Sequence, residues 1–307
     1  MKFYIIDAFT TQVFGGNPAG VVILPPDAVF PPDEVMQKTA AELRYSETAF
    51  IKRNSENEFN IRYFTPSDEV DLCGHATIAS FCALLDAGMI RNGGTYLNDT
   101  LAGKLNITVE KGFVMMDMAA PEALGVIDDR EALKELYGVM GLTVDKGLAN
   151  LDGEWKLYPE IISTGLPDIM LPIADRAALE AIKPDFPALI KLSEKYDVVG
   201  VHAFVLGEDL IGDSCPEEGQ ITAYCRNFGP RVGIDEEAAT GTSNGALTYY
   251  LYKNALIDNG AGCNFLQGEA MDRPSNIMSR ITEEGGSVKI QIGGTGAILA
   301  TGEISFI

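Results

Sequence analysis

Arg62-Tyr63-Phe64-Thr65-Pro66, followed by Cys73-Gly74-His75, returns later in the chain as Arg226-Asn227-Phe228-Gly229-Pro230, followed by Thr240-Gly241-Thr242. Setting Arg62 on Arg226, Phe64 on Phe228 and Pro66 on Pro230 needs no gap. Three additional residues in the second copy then bring Gly74 onto Gly241 and His75 onto Thr242. Each copy runs straight into a helix-forming stretch, so the chain reads as a doubled half-protein. Halves related by a pseudo-two-fold place their matching loops against each other, and the cleft between them is the expected active site.

Outward from the first copy, Ala76 to Leu85 is small or apolar on every side until Asp86-Ala87-Gly88 ends it. A helix with no polar face must be wrapped by other elements. Leu105–Glu110 and Phe113–Met118 are the natural wrapping strands. The second copy repeats the pattern. Ser243 to Leu256 is largely apolar and stops at Asn259-Gly260, with strand-like runs at Ile161–Ser163, Ile169–Leu171, Ala203–Leu206 and Gln220–Tyr224. Nearer the start, Phe3–Asp7 and Ala19–Leu24 read as strands. Pro31-Pro32-Asp33 opens a helix that Asp33 caps, with Val35, Met36, Thr39, Ala40 and Leu43 on one face. Ser46–Lys52 and Glu58–Phe64 read as a hairpin about Asn54-Ser55-Glu56-Asn57. The expected fold is α+β: two pseudo-symmetric lobes, residues 1–120 and 121–307, each a curled, mostly antiparallel sheet or barrel around a central helix. Pro121–Asp129 marks the boundary, and the final strands are free to cross back to the first lobe. Two glycine-rich stretches, 15–20 and 293–297, match no phosphate-binding fingerprint, and the second reads as a hairpin turn.

The balance of 23 basic and 44 acidic residues, a net charge of -21, repels nucleic acid and anionic membranes and argues against both as partners. No run of about 18 apolar residues exists, and Asp7 interrupts the N-terminus too soon for a secretory signal, so a cytoplasmic protein is expected. Five cysteines, Cys73, Cys82, Cys215, Cys225 and Cys263, show no C-x-x-C spacing, and the two histidines, His75 and His202, lack a neighbouring cluster. Neither a disulfide framework nor a dedicated transition-metal site is expected.

Glu47 is the sharpest chemical candidate. It interrupts a largely apolar strand, where desolvation would raise a carboxylate's pKa toward the range of a neutral-pH general acid/base. The alternative is an edge-strand Glu that points to solvent or pairs with Arg44. Aligning Ala49-Phe50 with Ala203-Phe204 sets Val201 opposite Glu47, so the second lobe offers no matching base. The backbone amides of Gly74, His75, Gly241, Thr242 and Ser243 stand at two helix starts and suit a small anion such as a carboxylate. His75 reads equally as a capping or buried structural residue, and Thr242 and Ser243 as ordinary N-caps. Asp235-Glu236-Glu237 either favours a helix N-terminus or positions the base or substrate. Cys73 precedes a helix start that lowers a thiol pKa. Its counterpart Thr240 is no base, and Cys73 reads as a packed small residue.

Taken in order, Asp7-Ala8-Phe9, Gly16-Asn17-Pro18-Ala19, Ser46-Glu47-Thr48-Ala49-Phe50, Arg62-Tyr63-Phe64-Thr65-Pro66, Leu72-Cys73-Gly74-His75-Ala76-Thr77, Gly233 through Thr242, and Gln267-Gly268 with Arg273-Pro274-Ser275 resemble the PhzF family of phenazine-biosynthesis-like isomerases. That family shares its fold with diaminopimelate epimerase and proline racemase. The resemblance covers essentially the whole chain and implies a site between the lobes, a homodimer and no cofactor. It places the catalytic glutamate at Glu47, the glycine-histidine pair at Gly74-His75, the acidic residue at Glu237 and the hydroxyl at Thr242. Asn17, Gly74, Gly241 and Ser243 fall among the substrate-binding positions. Glu237 stands where the phenazine enzyme has a shorter Asp, Ala238 where Pro is common, and Thr242 where Ser is usual. Each extra methylene or methyl intrudes on the cleft and bears on which substrate it takes. The expectation is a cofactor-independent isomerase of a small, cyclic carboxylate. A racemase or epimerase using Cys73 and a non-catalytic binding module on the same scaffold are the rival readings.

Overall fold

The first half of the chain winds its strands around one apolar helix, as that helix's lack of a polar face requires. The computed structural model describes residues 1–144, 150, 151, 155–208 and 220–306. Its elements begin β1 (Lys2–Ala8), β2 (Asn17–Ile23), α1 (Asp33–Leu43), β3 (Glu47–Arg53), β4 (Glu58–Phe64), β5 (Glu69–Val70), α2 (Gly74–Asp86), β6 (Gly94–Thr100), β7 (Gly103–Glu110) and β8 (Phe113–Asp117). β1 and β2 are antiparallel, β2 and β3 parallel, and β3 and β4 antiparallel with Thr48 opposite Phe64, the hairpin expected from the sequence. β4 then runs parallel to β6, and β6, β7 and β8 follow antiparallel.

Helix α2 is buried from His75 through Leu84 without a break. Phe81 stacks edge-on against Phe59, and the polar residues on the helix find internal partners. Thr77 Oγ1 is 2.7 Å from Tyr63 Oη, which also accepts from Asn98 Nδ2 at 2.9 Å. Helix α1 buries Met36, Thr39 and Ala40, part of the expected face. Asp33 does not cap it. The N-cap is Pro32, and the Asp33 carboxylate accepts from Arg62 Nη1 at 2.8 Å, because a guanidinium on the adjacent strand offers a charged donor.

The second unit continues with β9 (Glu122–Val126), α3 (Arg130–Val139), β10 (Asn150–Leu151), β11 (Trp155–Lys156), β12 (Glu160–Ser163), β13 (Pro167–Pro172), α4 (Arg176–Ala181), α5 (Phe186–Tyr196), β14 (Val201–Leu206), β15 (Ala223–Gly229), β16 (Ile234–Glu237), α6 (Gly241–Lys253), β17 (Gly262–Gln267), β18 (Ser275–Glu284) and β19 (Ser287–Gly294). The pairings repeat those of the first unit. β12 and β13 are antiparallel, β13 and β14 parallel, β14 and β15 antiparallel, and β15 runs parallel to β17. Helix α6 is the counterpart of α2, buried from Ser243 to Thr248, with β12, β13 and β18 against it.

Three helices of this unit were not anticipated from the sequence. α3, α4 and α5 carry aspartate N-caps at Asp129, Asp175 and Asp185. Their apolar faces, including Leu133, Leu136, Leu179, Leu189 and Leu192, pack on Ile169, Leu171, Val201 and Ala203.

The chain ends with β20 (Gly296–Glu303), which pairs antiparallel with β1 from Lys2–Glu303 to Ala8–Gly296. Residues 293–307 therefore belong with residues 1–117, and residues 118–292 form the other unit. The run Gly293-Gly294-Thr295-Gly296 is not the hairpin turn expected from its flanks. It carries the chain to a partner at the far end of the sequence, and Gly296 lies so close to Cys82 and Ile6 that a Cβ would sit 2.9 Å from Ile6 Cγ2. No helix among the described residues is long and apolar enough to cross a membrane, and Cys215 lies outside them.

Candidate active site

In the first unit, three element starts converge. Asn17 opens β2, Glu47 opens β3, and Cys73 is the N-cap of α2, whose second residue is His75. The parallel pairing of β2 with β3, which sets Ala19 beside Glu47, brings both strand starts to one edge. The turn into β2 depends on Gly16. Its φ is +59°, and a Cβ there would lie 2.1 Å from the Ala8 carbonyl oxygen, a position open to glycine alone.

His75, only 4 % exposed, is held on all sides. Asn17 Nδ2 lies 3.2 Å from its Nδ1, Cys73 Sγ 3.4 Å from the same nitrogen, and Ser46 Oγ 3.1 Å from Nε2. Glu47 Oε2 is 3.0 Å from Nε2, an ion-pair distance, and no hydrogen bond of good geometry reaches this buried oxygen. The contact is electrostatic, and the carboxylate keeps a lone pair free of an aligned donor.

The charge states correct the expectation for Glu47. Burial raises its pKa as anticipated, but the charge of the adjoining His75, with lesser help from the polar groups of Ser46 and Cys73, outweighs that and leaves the carboxyl below its ordinary value. For His75, burial opposes the charge, while Cys73 and Glu47 restore it and hold the imidazolium well above its usual range. Burial also pushes the Cys73 thiol up to about 11, with the Glu47 charge adding to the rise. Cys73 is therefore neutral near pH 7, and the anion that supports His75 there is Glu47. As an imidazolium, His75 needs an acceptor at Nδ1–H, which the Asn17 amide supplies by a half-turn. The partner of Glu47 is His75, and the Arg44 pairing weighed from the sequence does not form.

The N-caps of α2 and α6 are Cys73 and Thr240, and neither makes a side-chain cap bond. The readings of His75, Thr242 and Ser243 as caps therefore fail. The Thr240 hydroxyl instead donates to Glu237 Oε2 at 2.5 Å, and Gln267 Nε2 donates to Thr240 Oγ1 at 3.1 Å and to the Glu237 carbonyl at 2.7 Å. Gly268, at φ +83°, makes the turn that lets Gln267 do this, and a Cβ there would lie 2.4 Å from the Arg273 carbonyl oxygen. The Thr242 carbonyl accepts from Thr164 Oγ1 at 2.8 Å. Glu236, in the same acidic run, is the partner of Arg226, at 2.8 Å.

Asp168 was not singled out from the sequence. It is 3 % exposed, accepts from the Gly200 amide at 2.9 Å and takes a very short hydrogen bond from Ser243 Oγ. Asn227 Nδ2 reaches the same hydroxyl at 3.0 Å and His202 Nδ1 at 3.3 Å. The Ser243 side chain is thus taken up inside the fold. Burial raises Asp168 to about 6 and pushes His202 down to about 3. A lone Asp between Pro167 and Ile169 carries no periodic signal, which is why it was missed.

Comparison with known proteins places these residues in a family. The sequence profile described as "Phenazine biosynthesis-like protein" matches residues 6–302. The chain belongs to the PhzC-PhzF family. An uncharacterized isomerase of Deinococcus radiodurans is 35% identical over 97% of this chain and 92% of its own, and the uncharacterized isomerase YddE of Escherichia coli K12 is 32% identical over 97% and 96%. The crystal structure of a Bacillus anthracis phenazine biosynthesis protein of the PhzF family superposes with a TM-score of 0.83 at 25% identity, covering 100% of this chain and 99% of that one. A probable proline racemase from Agrobacterium radiobacter, at a TM-score of 0.60 and 12% identity, shares the fold of this PhzC-PhzF protein.

Proposed function

We propose that this protein is a cofactor-independent isomerase that moves a proton between two carbons of a small, cyclic carboxylate, with Glu47 as the shuttling base. The observation that carries the reading is a half-buried, ionised carboxylate whose buried oxygen is free of an aligned donor, held against an imidazolium. Such an oxygen is a base ready to act. Glu47 takes a proton from a carbon acidified by neighbouring unsaturation, the electron pair shifts through the π-system, and Glu47, whose carboxyl proton exchanges with solvent, returns a proton at the other end. One base is enough for such a shift, which suits a fold whose second half has the apolar Val201 at the corresponding strand start.

His75 offsets the negative charge that develops as the proton leaves, and the uncapped amides at the start of α2, including that of Gly74, receive the substrate carboxylate. We extend the assignment to Glu237 and Thr242, with Gly241 and Ser243 beside them, as substrate-orienting positions, on the resemblance of their stretch to the family's motif. The isomerase names of the relatives support the reaction class. A Cys73-based racemase is less well supported, because a thiol that titrates near 11 is a poor neutral-pH base.

The test is isotope exchange. Candidate cyclic carboxylates incubated in heavy water take up deuterium with the wild type, and Glu47→Gln lowers the rate by about 10²–10⁴-fold. Equal uptake by both proteins removes Glu47 from the mechanism. Tight calorimetric binding with no exchange by the wild type favours the binding-module reading.

A further inference from the structure

The cluster that holds Glu47 has a second chemical identity. Cys73, His75 and Glu47 present a thiol, an imidazole and a carboxylate whose ligand atoms all lie within 4.8 Å of one another. His75 Nε2 is 3.0 Å from Glu47 Oε2 and 3.9 Å from Cys73 Sγ. Donor atoms around a tetrahedral zinc, at bond lengths of about 2.0–2.3 Å, are separated by roughly 3.3–3.6 Å. The two edges at His75 Nε2 differ from that by about half an ångström or less, and the third, from Cys73 Sγ to the Glu47 carboxylate, lies within 4.8 Å. The Glu47 oxygen in question is buried and lacks an aligned hydrogen-bond donor, so a cation would satisfy an atom that the protein leaves unsatisfied.

We infer that Cys73, His75 and Glu47 form an inhibitory site for a borderline-soft divalent cation, with zinc the best match, that occupies the base and so excludes proton transfer. One sulfur, one nitrogen and one oxygen with an open fourth position is a zinc-type set, and it suits neither magnesium nor calcium, which require several oxygens. An Asn17 amide turned to accept from Nδ1–H supplies the outer-shell acceptor that metal-bound histidines ordinarily have. The helix start opposes a cation by about half a charge, but a thiolate and a carboxylate together contribute two negative charges. The chain's charge of -21 further raises the local concentration of cations.

Inhibition rests on the proposed function, whereas binding does not, and the experiment separates the two. Zinc is titrated into the full chain against a chromophoric indicator, and cobalt(II) serves as the spectroscopic probe. The expected result is one zinc per chain and a near-ultraviolet thiolate-to-cobalt charge-transfer band that disappears in Cys73→Ser. Zinc affinity should fall in Cys73→Ser and in His75→Gln by at least the ~10–100-fold that loss of an outer-shell partner costs. The cobalt band is read on the wild type, so a poorly folded variant does not stand in for the answer. Absence of the band, or its persistence in a folded Cys73→Ser protein, overturns the site. If zinc binds there and deuterium exchange by the wild type continues undiminished at saturating metal, the inhibitory role is overturned while the site stands. If the metal-free wild type exchanges nothing, the isomerase reading fails and the binding result is unaffected.

Discussion

Glu47 shows how a neighbour reverses the effect of burial. Desolvation alone would make it a general acid with a raised pKa, and the sequence supports that expectation because its strand is apolar. His75 lies 28 positions away (75 − 47) and turns the residue into an ionised base. The pH profile of exchange follows. With the folded pKa of Glu47 lowered by the His75 charge, the acid limb of kcat/KM lies below that of an unperturbed glutamate. In His75→Asn the cation is gone and burial remains, so the acid limb moves upward. An unchanged limb in the variant would show that His75 does not set the state of the base.

Asp168 supplies a test with the opposite sign. Its pKa rises from 3.8 to about 6 on folding, so the folded state binds the proton more tightly. Its contribution to stability is fully present below pH 3.8 and is lost as pH rises through 6. The shift corresponds to about 3 kcal/mol at roughly 1.4 kcal/mol per unit. Asp168→Asn has no such titration, so its stability relative to the wild type should rise by a similar amount between pH 4 and 7. Urea denaturation at both pH values measures this, and parallel profiles for the two proteins would refute it.

At the level of elements, the two central helices are alike in burial, and each encloses polar side chains with hydrogen-bonded partners: His75, Thr77 and Ser80 on α2, and Ser243, Asn244 and Thr248 on α6. Phe81→Ala removes a fully buried ring from the centre of α2 and should cost about 3–5 kcal/mol in denaturant unfolding. A cost under about 1 kcal/mol would mean that the first unit does not depend on that helix for its core. α3, α4 and α5 were legible in principle, since each follows an aspartate cap. They went unread because short amphipathic helices between strands lack the unbroken apolar run that marks α2 and α6.

For the chain as a whole, the repeated Arg-x-Phe-x-Pro pattern is architectural. Arg62 makes two bonds to Glu69 at 2.6 Å and stacks 5.2 Å from the Phe64 ring centroid, while Arg226 bonds Glu236 at 2.8 and 2.9 Å and stacks 4.9 Å from Phe228. Glu69 lies seven positions after Arg62 and Glu236 ten after Arg226, so the three additional residues of the second copy fall inside the loop that each pair closes. The last strand links the ends of the chain. Removal of residues 293–307 takes away β20, and the β1 amides that bond to it should lose hydrogen-exchange protection while those of β13, β14 and β15 keep theirs. Full protection in β1 after the truncation would show that β20 contributes no stability there.

The duplication, the two enclosed helices and the strands around them could be read directly from residue order, because periodicity and turn chemistry are local properties. Glu47, Gly74 and His75 could be named in the same way, since each sits within a short recognisable stretch. The ionisation of Glu47, the Cys73–His75–Glu47 grouping, the hydrogen bonding of Asp168 and the register of β20 on β1, a crossing that the sequence left open, emerged only from the folded arrangement. Each depends on groups far apart in the chain, whose field, distance or hydrogen bonding does not exist until packing brings them together and excludes water.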